Sequence, residues 1–317
     1  MESLREAATI AVRDCLAVKA GESVLVITDC EKRKIGYAFW EAAREQDAEA
    51  MLTEIIPRKT HGEEPPQALA EFLKHVDVFI APTSKSITHT RARRLACELG
   101  ARGATLPDIA ESMMRRALRA DYGRIAEASV KAAELLTQGA TARLTTPAGT
   151  NFITSLVGMR GLADTGLFHK PGQFGNLPSG EAYIAPVENS AHGVIVFDGS
   201  MAGIGIISEP IRLTVRNGYA TKISGGKEAE QLRKLIQSFG RLGRNIAELG
   251  IGTNYKAKVT GNILEDEKVA GTVHIALGDN ASLGGTVSVP SHLDGLLLNP
   301  TLEIDGQIIM ENGKLLI

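Results

Sequence analysis

The sequence predicts an α/β chain in two parts: an N-terminal α/β domain with a parallel sheet, residues 1–140, and a mixed α+β C-terminal metal-binding domain, residues 141–317. Three observations predict it. Strand and helix signals alternate through the first part, the rhythm of parallel strands joined by crossover helices. The second part exchanges that rhythm for hairpin signals, Asn217-Gly218, Asp305-Gly306 and Asn312-Gly313. Every candidate metal ligand falls in the second part.

The elements follow in order. Leu4–Leu16 carries apolar residues at helical spacing and predicts an amphipathic helix. Ser23–Thr28 is a short β-branched run, as expected of a strand buried on both faces. A helix follows over Tyr37–Glu45, then strands over Ala50–Ile56 and Val76–Ala81. Thr83–Thr90 reads as a surface loop with an N-cap. The helix Arg91–Leu99 after it presents His89, Arg91, Arg93 and Arg94 as a solvated face. Gly103–Pro107 predicts a further strand and Ile125–Leu136 a helix, with the domain boundary between Gln138 and Thr146. Beyond it, Ile211–Arg216 and Tyr219–Ile223 flank Asn217-Gly218 as a hairpin, and Lys227–Phe239 is helical.

Composition excludes several function classes. The 317 residues are 44% hydrophobic and 23% charged, ordinary for a soluble globular protein. A net charge of −2 gives no electrostatic reason to expect nucleic acid or an anionic membrane as partner. The start, Met1-Glu2-Ser3-Leu4-Arg5-Glu6, lacks a signal peptide's basic and apolar regions, so a cytoplasmic location is expected. Cys15, Cys30 and Cys97 show no metal-like spacing and read as buried thiols. There is no Gly-x-Ser-x-Gly elbow, and Thr28-Asp29-Cys30-Glu31-Lys32 after the first strand is no phosphate loop.

What remains is a set of metal-type side chains: Glu181, Glu248, His274, His292 and Asp294. Two histidines and three carboxylates suit hard-to-borderline divalent ions. They are too many for one simple site and about right for two ions sharing carboxylates. His292 and Asp294, two apart, leave one face of an extended segment. His274 sits within Val273–Leu277, an apolar run where an unpartnered imidazole is costly. Glu181 opens the apolar Ala182–Ala185 segment, where a buried carboxylate wants a cation. Glu248, taken alone, reads as a solvated glutamate at a helix end.

Four segments, Asn176–Glu181, Glu248–Asn254, His274–Gly278 and His292–Asp294, occur in an order that resembles the thermophilic metalloaminopeptidases, the aminopeptidase T family. The resemblance implies a homodimer that hydrolyses the N-terminal residue of peptides. It implies two divalent ions (Zn, Co or Mn) on Glu181, Glu248, His274, His292 and Asp294, with Glu181 or Glu248 as general base. One departure stands out: Ala281 occupies the place of the family's tyrosine. A second reading takes His274, His292 and Asp294 as a 2-His-1-carboxylate site for a single Fe(II). A ring-cleaving dioxygenase acting on dihydroxypyridine resembles the peptidases in fold, although an aromatic content of 4% offers no evident stacking platform. A third reading is a non-catalytic metal-binding homologue.

Overall fold

The computed structural model describes residues 2–317. In chain order the helices are α1 (Glu2–Ile10), α2 (Arg33–Arg44), α3 (Gln67–Phe72), α4 (Arg91–Glu98), α5 (Glu111–Met114), α6 (Tyr122–Gln138), α7 (Lys227–Ile236) and α8 (Ile263–Asp266). The first ten strands are β1 (Ser23–Asp29), β2 (Glu49–Ile55), β3 (Val78–Ala81), β4 (Arg102–Thr105), β5 (Thr141–Thr145), β6 (Asn151–Ser155), β7 (Leu162–Asp164), β8 (Phe174–Asn176), β9 (Glu181–Ile184) and β10 (His192–Phe197). Then come β11 (Ser200–Met201), β12 (Gly205–Ile206), β13 (Ile211–Arg216), β14 (Tyr219–Ser224), β15 (Ile246–Gly252), β16 (Val273–Gly278), β17 (His292–Leu297), β18 (Thr301–Ile304), β19 (Gln307–Glu311) and β20 (Lys314–Leu315). The chain forms two compact units, Met1–Gly123 with Gly166–Ser179, and Arg124–Thr165 with Gly180–Ile317. It is α/β, with one parallel sheet and further antiparallel sheets.

The first unit is built on a five-stranded parallel sheet in the order β2-β1-β3-β4-β8. Central strand β1 is buried from Val24 to Asp29, which explains its unbroken apolar run. Leu25, Ile27, Phe79, Leu73 and Ile87 pack as one cluster, each burial worth about 1.5–3 kcal/mol. The three-residue edge strand β8 has no sequence signal of its own. Its Asn176 side chain donates to Thr105 Oγ1 at 2.8 Å.

Two expectations are corrected here. Arg93 does not lie on a solvated face: it is buried, its guanidinium 3.5 Å from the Phe174 ring and its Nε donating to Thr88 O at 2.7 Å. Aromatic stacking and a carbonyl acceptor replace water around it. Of the thiols only Cys15 is buried; Cys97 is half-buried, and Cys30, just past the end of β1, is exposed.

The second unit holds an eight-stranded sheet, β14-β13-β10-β6-β5-β18-β19-β20, and a seven-stranded sheet, β12-β11-β17-β16-β15-β9-β7. Asn217 and Gly218 take positive φ, 48° and 78°, as the two-residue turn between β13 and β14 requires. Leu213, Val215, Leu249, Ile251, Val273, Ile275, Leu277 and Leu297 belong to one apolar core. Among the described residues no helix is long and apolar enough to cross a membrane.

Candidate metal centre

Strand alternation builds the site. In β15 and β16, Leu249, Ile251, Val273, Ile275 and Leu277 face the core, so Glu248, Gly250, Gly252, His274, Ala276 and Gly278 face the other way. β9 turns Ala182 and Ile184 to the core and leaves Glu181 and Tyr183 on the opposite face. Antiparallel register then aligns the rows. Gly252 pairs with Glu181, Gly250 with both Tyr183 and His274, Ala276 with both Glu248 and Asp294, and Gly278 with His292. All five candidate ligands therefore share one sheet face, interleaved with small residues.

Those small residues are needed for space. A Cβ at Gly250 would fall 1.9 Å from His274 Nε2 and 2.2 Å from its Cε1. The imidazole thus lies across the strand position that Gly250 leaves bare. At Gly252 a Cβ would meet Val269 O at 2.1 Å, so the 268–269 segment also depends on a glycine for its approach.

The side chains converge in two overlapping sets that share Glu248: Glu181, Glu248 and His274, and Glu248, His292 and Asp294. His274 Nε2 is 3.1 Å from Glu248 Oε1 and 3.4 Å from Glu181 Oε2. His292 Nε2 is 3.3 Å from Glu248 Oε2 and 3.4 Å from Asp294 Oδ1. Glu248 is buried in mid-strand, which corrects its reading as a solvated helix-end residue; the apolar core behind Leu249 and Ile251 carries it inward.

The donor chemistry suits a cation. His292 Nδ1 donates to Asp279 O at 2.8 Å, which leaves Nε2 aimed at carboxylate oxygens. That nitrogen needs a second proton or a metal ion between it and Glu248, and a backbone acceptor behind the ring is the usual support of a ligating histidine. Glu181 Oε2 is buried with no hydrogen-bond partner. The protonation energetics agree. Burial pushes the Glu181 carboxyl up to about 8 despite the opposing charge of Lys268. Burial would raise Glu248 too, but hydrogen bonds to His274 and His292 outweigh it and hold that carboxyl well below its usual range. Burial would depress His274, yet Glu248 and Glu181 reverse this and push it up to about 9. Crowding by protein atoms would depress His292, but Asp294 and Glu248 outweigh it and hold the ring, one-third open to solvent, well above its ordinary value. The carboxylates demand positive charge, which protons or a metal ion can supply.

The sequence reading missed one part of this site. Lys268, only 3% exposed, extends its Nζ to 2.6 Å from both Glu181 Oε1 and Glu267 Oε1, with Asp164 Oδ2 at 3.9 Å. Glu265-Asp266-Glu267-Lys268 looks like any solvated charge run, so nothing local identifies it. Gly250 and Gly252 did leave a signal, small residues alternating with large ones along a buried strand.

Comparison with known proteins gives consistent likenesses. The family model for NicX, 2,5-dihydroxypyridine 5,6-dioxygenase, matches residues 6–317. The 2,5-dihydroxypyridine 5,6-dioxygenase of Pseudomonas putida KT2440 is 30% identical across 58% of this chain, and the match spans 57% of that relative's length. A solved 2,5-dihydroxypyridine dioxygenase structure from Pseudomonas putida KT2440 superposes with a TM-score of 0.83 at 22% identity, covering 99% of this chain and 96% of the other. Wild-type AmpT from Thermus thermophilus superposes with a TM-score of 0.75 at 18% identity, covering 100% and 99%. At such identity the two structures speak for the fold alone.

These findings overturn the expectation of a metalloaminopeptidase and with it those of a hydrolase and of proteolysis. The aminopeptidase likeness survives as a likeness of fold. The physical reason is that a fold and its ligand positions fix where a metal can sit, not which bond is broken.

Proposed function

The chain belongs to the 2,5-dihydroxypyridine 5,6-dioxygenase family, and from that premise we propose that it is a ring-cleaving dioxygenase using one non-haem Fe(II) on a dihydroxylated pyridine. The observation that carries the reading is that His274 and His292 both turn Nε2 to Glu248, with Asp294 beside His292 on the same sheet face. His274, His292 and Asp294 supply the 2-His-1-carboxylate donor set, and Glu248 is the carboxylate between the two imidazoles. Iron, when bound, supplies the redox chemistry that joins dioxygen to the aromatic ring.

The chain's own groups have separate tasks. Asp279 O fixes the tautomer and orientation of His292 through Nδ1. Glu181, whose Oε2 makes no hydrogen bond and whose carboxyl is pushed up to about 8, is held largely protonated near neutral pH, so it can donate a proton to the reacting ring and take one back as the pH approaches 8. Tyr183 shares the cross-strand row of Gly250 and His274 and offers an aromatic side chain on the same face. Glu248 and His274 are buried while the His292 side chain is one-third exposed, so the donor set is closed on the His274 side and open to solvent on the His292 side.

The test is anaerobic reconstitution with Fe(II), followed by dioxygen and 2,5-dihydroxypyridine. The expected result is consumption of one dioxygen per ring with loss of the pyridine absorbance, abolished by a chelator and restored by Fe(II). Protein carrying one Fe per chain that consumes no dioxygen with this or related dihydroxypyridines refutes the proposal.

A further inference from the structure

We infer that the ammonium of Lys268 holds the place of a second cation, so that this centre accepts one divalent ion and excludes another. The inference rests on the single-ion reading above and explains why five ligand-type residues would serve only one metal.

The two donor sets share Glu248 and differ in their remaining members. Once one ion has taken His274, His292 and Asp294, a second would have to be built on Glu181. Glu181 is already engaged. Lys268 donates to its Oε1 at 2.6 Å and to Glu267 Oε1 at the same distance. Asp164 Oδ2, at 3.9 Å, adds a third carboxylate to the same side.

Lys268 is closely confined. Its side chain is 3% exposed, and its backbone is fixed on both sides. Lys268 N donates to Glu265 O at 3.0 Å, closing the turn after α8, and Lys268 O accepts from Asn254 N at 2.8 Å. Gly252, the register partner of Glu181, gives the backbone beside Lys268 room to approach β15. A divalent ion on Glu181 Oε2 would stand against the ammonium in a buried setting, where like charges repel far more strongly than in water. The single charge of the lysine partly offsets the carboxylates of Glu181, Glu267 and Asp164 without consuming a metal, and it cannot be removed by a chelator.

Metal stoichiometry tests this directly. Metal-free protein is titrated anaerobically with Mn(II), bound ions are counted by equilibrium dialysis with plasma mass spectrometry, and the paramagnetic spectrum distinguishes isolated ions from a coupled pair. Wild type is expected to bind one Mn(II) per chain with an isolated signal. Lys268→Met is expected to bind two, the second at least 100-fold tighter than any second ion in wild type, with a coupled signal. Lys268→Arg, which keeps the charge, should bind one. Folded Lys268→Met that binds a single ion overturns the inference while leaving the single-ion reading standing. Two ions in wild type overturn both. If Lys268→Met does not fold, Lys268→Met with Glu267→Gln removes one buried carboxylate along with the ammonium, and the same counts decide the matter.

Discussion

Gly250→Ala is the sharpest test of how the centre is held. The added methyl would lie 1.9 Å from His274 Nε2, 2.2 Å from Cε1 and 2.7 Å from Cδ2. To reach ordinary contact the ring must move by about 1.5–2 Å. Ligand distances in metal sites tolerate only about 0.2 Å, so His274 cannot remain a ligand after such a shift. Disturbing the groups that orient a ligating histidine typically costs about 10–100-fold in metal affinity, so Fe(II) affinity should fall by about that factor or more. Overpacking a buried strand costs about 1–3 kcal/mol, so the variant should fold with a lowered melting temperature. The assay is competitive Fe(II) titration against a chelator on the metal-free variant, paired with thermal unfolding. A folded Gly250→Ala protein that binds Fe(II) as tightly as wild type would refute the assignment of His274 Nε2 as a ligand.

Two further outcomes follow from the same structure. Arg102 is buried, donating to Leu16 O, Ala17 O and both carboxylate oxygens of Glu22. Arg102→Ala should cost about 3 kcal/mol in urea unfolding, and a loss below about 1 kcal/mol would show that the pair is not structurally important. The metal-free protein should lose stability in alkali. His274 is pushed up from 6.5 to about 9 in the folded state, so its stabilisation is complete below 6.5 and disappears as pH rises through 9. Glu181, raised from 4.5 to about 8, acts in the same direction. Melting temperature without metal should therefore be lower at pH 9.5 than at pH 6, and a rise instead would contradict the carboxylate–imidazolium pairing.

Local periodicity and residue chemistry carry part of this structure. The β-branched run Ser23–Thr28 could only be a doubly buried strand, and Asn217-Gly218 could only be a tight turn. His274 inside an apolar run, and His292 two residues before Asp294, marked ligand chemistry because imidazoles and carboxylates are costly to bury unpaired. What the sequence alone could not determine is which side chains meet. Glu248 looked solvated because its burial comes from Leu249 and Ile251 packing into a core assembled from distant strands. The row that sets Gly250 beneath His274, and the row that joins Glu248 to Asp294 through Ala276, are matters of antiparallel register, which no local pattern encodes. Lys268 reaches Glu181 across 87 residues of chain, by a backbone approach that Gly252 permits. Ligand types are written along the chain. Their meeting, and the lysine that joins them, come from the tertiary structure, because only folding brings charges from separate strands out of water and into contact.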